Sequence, residues 1–301
     1  MDRIGKVSDS TITSADPRYP PLLRTITPAP RQLFIRGTLP DPTLPAVAVV
    51  GTRRFTRYGK EWTERIAADL VRAGVIIVSG LARGIDSTAH LAAVEARAPT
   101  IAVLGSGVDD DSLYPRQNLE LAHRILDTGG CLVSEYPEGT QGTPYTFPER
   151  NRIIAGLSLG TLVTEAPIKS GALITARHAL DYNREVFAIP HPLGYFTGEG
   201  CNELLSQGAH FVQSARDILE VLEIPMPEES RGYTPQNETE AQLIAALSRE
   251  PMHIDALIAA TGIASRDVVT ALTMLELKGA VKNLGEMRFA INSPLPSGGE
   301  G

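Results

Sequence analysis

The sequence predicts a doubly wound α/β fold, an extended Rossmann-like and mostly parallel sheet, followed by a small C-terminal winged-helix domain. Three observations carry this. Short runs rich in Val and Ile recur between residues 46 and 189, and each is followed by glycine, serine, proline or glutamate. The runs do not alternate apolar with polar, which suits strands covered on both faces. Helical patterns fill the intervals, and strand–helix alternation of this kind builds parallel sheets with helices on the outside.

The runs come in order. AVAVV (46–50) stops at Gly51, VIIV (75–78) at Ser79-Gly80 and TIAVL (100–104) at Gly105. CLVS (131–134) leads to Glu135, TLVTEA (161–166) to Pro167 and VFAI (186–189) to Pro190. Residues 57–73 place Trp62, Ile66 and Leu70 at three-to-four spacing, a helical stripe. Asp86 is read as the cap of a helix over 86–97, and further helices are read over 116–128 and 171–182. Residues 1–45 differ: Pro17, Pro20, Pro21, Pro28, Pro30, Pro40 and Pro42 lead up to Pro45. They predict a turn-rich lead-in with one short apolar element at Leu33-Phe34-Ile35.

A polar, Pro- and Gly-rich stretch around 224–238 reads as a linker. After it come helices through TEAQLIAALS and IDALIAATG, then RDVVTALTMLELKG with Ser265 as its cap. AVKNL and MRFAI flank Gly285-Glu286 as a two-residue hairpin. Three helices and a hairpin are the order of a winged helix. The domain plan is a lead-in over 1–45, the Rossmann-like domain over 46–223, a linker over 224–237, the winged helix over 238–292 and a tail over 293–301.

Composition sets bounds. The chain has 301 residues, 43% of them hydrophobic and 21% charged, so it can bury a core and is not disordered. No apolar run approaches the roughly 20 residues a bilayer crossing needs. The opening MDRIGKVSDS lacks an export pattern, and Cys131 and Cys201 form neither a disulfide framework nor a metal spacing, so a cytoplasmic protein without a metal or other cofactor is expected. The net charge of −7 leaves room for a local basic cleft.

Four segments should meet at the carboxyl ends of the strands, where open parallel sheets bind ligands. In Gly51-Thr52-Arg53 the glycine permits close backbone approach and the arginine is a forked phosphate donor. A plain turn carrying a surface arginine fits those residues equally. Ser79-Gly80-Leu81-Ala82-Arg83-Gly84 joins small residues to a second arginine and a helix start. His90, further along that helix, is read as a packed residue. Gly105-Ser106-Gly107 is a phosphate-approach loop or a sharp turn, and Asp109-Asp110-Asp111 is read as a solvated loop. Lys169-Ser170-Gly171 brings a cation, a hydroxyl and free amides to a helix start. Upstream, Arg150 and Arg152 stand two apart and cannot share a helix face, so one is expected to pair with an acid. Gly156-Leu157-Ser158-Leu159-Gly160 matches the nucleophile elbow, but it runs from helix to strand instead of strand to helix. No catalytic constellation remains.

The blocks VGTR (50–53), SGLARGID (79–86), FPERNRIIAGLS (147–158) and KSGALITA (169–176) together resemble the DNA processing protein A family, also called DprA or Smf. YPPLL with PAPRQLFIRG (19–37) and GCNELLSQGA (200–209) fit as well, so the likeness covers about residues 17–222. The resemblance implies a Rossmann-like domain that binds single-stranded DNA, protects incoming strands in natural transformation (competence) and loads RecA for recombination. It implies a homodimer that is no enzyme. Carried over by motif, the strand pocket holds Arg53, Lys169, Ser170 and Gly171, with Thr52, Ser79, Gly80, Arg83, Arg150 and Arg152 around it. Two positions depart from the family pattern: His191 stands where glycine is usual after VFAIP, and Asn183 where glycine is common before the arginine. The sterile-alpha-motif domain that some members carry is not expected, because the core begins within the first few dozen residues.

Phosphate contacts carry little sequence information, so binding should tolerate sequence and weaken with salt. Aromatics are 5% of the chain, which leaves few stacking candidates, such as Phe147 and Tyr145. Residues 238–292 hold more acidic than basic side chains, so the winged helix is expected to contact protein more readily than DNA. Helix 215–222 is read as exposing Ile218, Leu219 and Leu222, a candidate dimer surface. The rival reading is a nucleotide-binding enzyme or sensor of the phosphoribohydrolase-like Rossmann class, with Glu165 as its acid. Glu165 is otherwise a buried acid paired with Arg150 or Arg152. A scaffold with a vestigial cleft is the third reading.

Overall fold

The computed structural model describes residues 9–226, 235–247 and 251–291. The first eight residues of the lead-in, most of the linker and the tail over 293–301 lie outside the described residues.

In β3 (Ala46–Val50) all five residues are buried, because consecutive side chains enter opposite cores. Val47 and Val49 join one cluster, and Ala48 and Val50 join the other. The same holds for β4 (Ile76–Ser79), β5 (Thr100–Leu104), β6 (Cys131–Ser134) and β7 (Gly160–Val163), each buried throughout. With β8 (Glu185–Ala188) and β9 (His210–Phe211) they run parallel in the order β6-β5-β4-β3-β7-β8-β9.

The proline-rich lead-in adds two strands to this sheet. β2 (Gln32–Gly37) pairs antiparallel with β6, and β1 (Asp9–Thr13) pairs antiparallel with β2. The prolines mark the connections between these strands. Sequence patterning finds β2 and overlooks β1, whose DSTIT run is short and mostly polar.

Helices cover both faces. On one, α5 (Thr146–Gly156) and α6 (Gly171–Asp181) bury Ile153, Ile154, Ala172 and Ala176. Cys201 and Leu204 of α7 (Glu199–Ser206) join the same cluster. On the other, α2 (Arg57–Arg72) and α3 (Ile85–Glu95) bury Ile66, Leu70, Ile85 and Ala89. Beside them α4 (Leu119–Asp127) seats Ala122 and Ile125 against Leu104 and Leu132. The last helix of this unit, α8 (Ala215–Val221), corrects one expectation: Ile218 and Leu219 are 0% and 3% exposed, packed with Ile66 and Leu70. An apolar stripe on a terminal helix faced the domain's own core, so it offers no dimer surface.

The second unit has its own core of Leu243, Leu257, Leu272, Leu275 and Phe289. It is a winged helix: α9 (Glu238–Ala246), α10 (Ile254–Thr261) and α11 (Ser265–Leu277), with β11 (Val281–Asn283) and β12 (Arg288–Ile291) as the wing. A short β10 (Met252–His253), missed in the sequence, pairs with β12. The wing turn holds three residues rather than two. Gly285, Glu286 and Met287 all take positive φ, and the Leu284 N–H donates to the Arg288 carbonyl at 2.9 Å. Ser265 starts α11 while Ala264 holds the cap position, with no side-chain cap bond.

Among the described residues no single helix is long and apolar enough to cross a membrane, and no three His, Cys, Asp or Glu side chains gather as a metal site.

Candidate functional site

The chain leaves β3 toward β4, β5 and β6 on one side, and leaves β7 toward β8 and β9 on the other. The loops following β3 and β7 therefore diverge, and a crevice opens between them at the carboxyl end of the sheet.

Three loops are locked together there. The Thr52 N–H donates to the Glu165 carbonyl at 2.7 Å, and the Ile85 N–H donates to the Thr52 carbonyl at 3.2 Å. A Cβ on Gly84 would strike the backbone of Thr52 and Arg53, and its φ is +88°. Glycine is required here on both counts. Held in this way, Arg53 projects into solvent with its guanidinium 5.8 Å from the centroid of the Phe147 ring. Phe147 also packs against Tyr114 at 5.4 Å.

Phe147 lies in the first turn of α5. One turn later, Asn151 donates from Nδ2 to the Gly171 carbonyl at 3.2 Å. Four residues of helix rise about 6 Å, so α5 ties the Arg53 loop to the start of α6. At that start Ser170 is the N-cap, its Oγ accepting the Ala172 N–H at 3.2 Å. Gly171 faces open space, and Lys169 is exposed with no ion pair among the described residues. Arg53 and Lys169 thus follow adjacent parallel strands at the same end of the sheet.

The other residues singled out in the sequence stand differently. Arg83 is exposed and donates through Nε and Nη2 to Gln117 Oε1 at 3.1 and 2.6 Å. Ser79 is fully buried and donates to the Val49 carbonyl at 2.6 Å. Gly80 donates its N–H to Asp86 Oδ2 at 3.1 Å, so Asp86 secures this loop from inside the first turn of α3, where Gly84 is the cap. Thr52 is buried, and its Oγ1 accepts the Arg54 N–H at 3.2 Å. Arg150 is buried beneath the crevice and donates to the Val103 carbonyl. Burial lowers its pKa to about 10, with the Asp86 charge opposing. Arg152 donates to both Glu135 oxygens at 2.8 and 2.6 Å. The structure therefore places Arg53, Lys169, Gly171 and Arg83 on the open rim. Thr52, Ser79, Gly80 and Arg150 form the layer beneath, and Arg152 is tied to an acid.

Glu165 is fully buried and pairs with neither arginine. It accepts the Thr56 N–H at 2.9 Å and the Thr56 hydroxyl at 3.1 Å, at the start of α2. A carboxylate is well placed at a helix N-terminus, which explains why it needs no guanidinium. Two rim cations were overlooked in the sequence. Arg54 and Arg57 are exposed beside Arg53, and the run Arg53-Arg54-x-x-Arg57 was the available signal. The acidic loop is internally engaged: Asp109 accepts the Gly139 N–H at 2.9 Å, and Asp110 takes Arg36 and His123.

Fold and site define a doubly wound α/β protein that offers unpaired cations to an anionic ligand at its switch point, joined in one chain to a winged helix. The family model described as DNA recombination-mediator protein A matches residues 10–223, and that described as the DprA winged helix domain matches residues 227–287. The chain belongs to the DNA recombination-mediator protein A family, DprA or Smf. It is 42% identical to Protein Smf of Escherichia coli over 87% of this chain and 72% of that one. It is 41% identical to DNA processing protein DprA of Bacillus subtilis over 75% of this chain and 74% of that one. The crystal structure of DprA from Streptococcus pneumoniae superposes with a TM-score of 0.65 at 39% identity, covering 71% of this chain and 74% of that one. A structure of DprA from Helicobacter pylori, described for its single-stranded DNA binding mode, gives 0.63 at 30% identity over 72% and 97%.

Proposed function

We propose that this chain binds single-stranded DNA in the crevice between the β3 and β7 loops, protects incoming strands and loads RecA onto them in natural transformation and recombination. It acts in the cytoplasm as a homodimer and catalyses no reaction. The observation that carries the reading is the unpaired Arg53 over the Phe147 ring, with Lys169 following the adjacent strand. A cation backed by an aromatic face suits a ligand that is both phosphate and base. The Helicobacter pylori relative, described as binding single-stranded DNA, supports the choice of ligand. Phosphates bind Arg53 and Lys169, with Arg54, Arg57 and Arg83 extending the positive rim. Thr52, Ser79, Gly80 and Arg150 hold those loops in place, Ser170 and Gly171 offer the helix start, and Arg152 braces α5.

The test is oligonucleotide binding by mobility shift with Arg53→Ala and Lys169→Ala. Each should lose affinity, and full affinity in both variants overturns the assignment. The nucleotide-enzyme reading needs Glu165 to face a substrate, and its carboxylate is instead buried against Thr56. Incubation with nucleoside monophosphates should release no free base.

A further inference from the structure

The loop after β8 shows aromatic rings to solvent in a chain that has few of them. Tyr195 is 57% exposed, Phe196 68% and Leu193 93%. This loop stands beside the β7 loop that carries Lys169, on the side away from Arg53. Its tip is a tight turn: the Tyr195 N–H donates to the Pro192 carbonyl at 3.4 Å, and Gly194 takes φ +83° as the third turn residue.

Both ends of the loop are fastened. The His191 N–H donates to Asn202 Oδ1 at 3.0 Å, and Asn202 Nδ2 donates back to the His191 carbonyl at 2.9 Å. His191 Nε2 lies 2.9 Å from the Thr164 carbonyl, and Tyr58 packs edge-on against the same ring at 5.1 Å. At the far end the Gly200 N–H donates to the Ala166 carbonyl at 2.8 Å, three residues before Lys169. So His191, the departure from family pattern noted in the sequence, serves as the anchor of a rigid tip.

We propose that Tyr195 and Phe196 form a base-stacking platform for the same DNA strand whose phosphates are held at Arg53 and Lys169. The inference rests on the strand-binding reading above. Exposed rings in a pre-formed turn can be covered by bases with little ordering cost, and stacking needs no particular base. The position favours nucleic acid over protein as the occupant. Strands in a sheet lie about 4.8 Å apart, so the β8 loop is within about 10 Å of the β3 loop, with the Lys169 loop between them. A chain leaving Lys169 on this side meets these rings next. Phe147 and Tyr114 stand on the opposite side of the cations, so aromatic faces bracket the phosphate contacts.

The test compares wild type, Lys169→Ala and the double variant Tyr195→Ala/Phe196→Ala on a thymidine oligonucleotide and on an abasic strand of equal length. Light scattering follows the oligomeric state. The double variant should keep its thermal midpoint, lose at least about fivefold on thymidine, and change less than twofold on the abasic strand. Lys169→Ala should lose on both. Equal loss on the two ligands, or no loss on thymidine, overturns the platform. Dissociation of a dimer with thymidine affinity intact also overturns it and assigns the rings to a second copy of the chain. If Lys169→Ala binds both strands like wild type, the cleft reading itself fails and the platform falls with it.

Discussion

The guanidinium of Arg150 lies against the Cα of Gly80 and fills the space where a side chain there would stand. Arg150 is 5% exposed and donates to the Val103 carbonyl, so it cannot retreat into water. Gly80→Ala should therefore cost about 1–3 kcal/mol, the usual range for overpacking. Thermal denaturation of the pure variant measures it, and an unchanged midpoint would mean that α5 yields more readily than its packing indicates.

The rim cations should separate by salt dependence. For single strands, log affinity falls with log salt at about 0.7 per phosphate neutralised. Removing Arg53 or Lys169 should lower the slope by about 0.7 each, as should Arg57→Ala if the overlooked rim cation is in contact. Arg152→Ala should leave the slope unchanged, because that guanidinium already serves Glu135. Titrations across a salt series with one oligonucleotide decide this.

Glu165→Gln tests the anchor of the β3 loop. The carboxylate accepts two bonds from Thr56 in a fully buried setting. The amide replaces a charged acceptor and brings donors that have no place there. A loss of about 1–3 kcal/mol in urea unfolding is expected, together with weaker DNA binding through the displaced Arg53 loop.

His90 should make the protein sensitive to acid. Burial, aided by the nearby Arg150 charge, lowers its pKa from 6.5 to about 3. As pH falls through 6.5 the unfolded chain takes up a proton and the folded one does not. Stability is full above that value and declines toward pH 3 by about 1.4 kcal/mol per unit. Asp86 acts in the opposite sense, because burial raises its carboxyl above the ordinary value. The measurement is therefore the difference between wild type and His90→Gln, in which this part of the slope should vanish.

Period and punctuation in the sequence determined the parallel sheet, because strands buried on both faces must be continuously apolar and must end in residues that turn. The ordered blocks from VGTR to KSGALITA marked the strand-end loops and the family. Sequence could not separate the arginines by task. Arg53, Arg150 and Arg152 are alike as residue types, yet one is open to solvent, one is sealed under Gly80 and one is held by Glu135. Their partners lie 17 to 94 positions away along the chain, as with Glu135 for Arg152 at 17 and Phe147 for Arg53, and only the folded sheet brings them together. The same limit hid β1, whose polar run becomes a strand because β2 offers it an edge. It also reversed α8, whose apolar stripe looked exposed until the packing of α2 claimed it. Local patterns specify elements, but which side chain stays free for a ligand depends on what tertiary packing has already used.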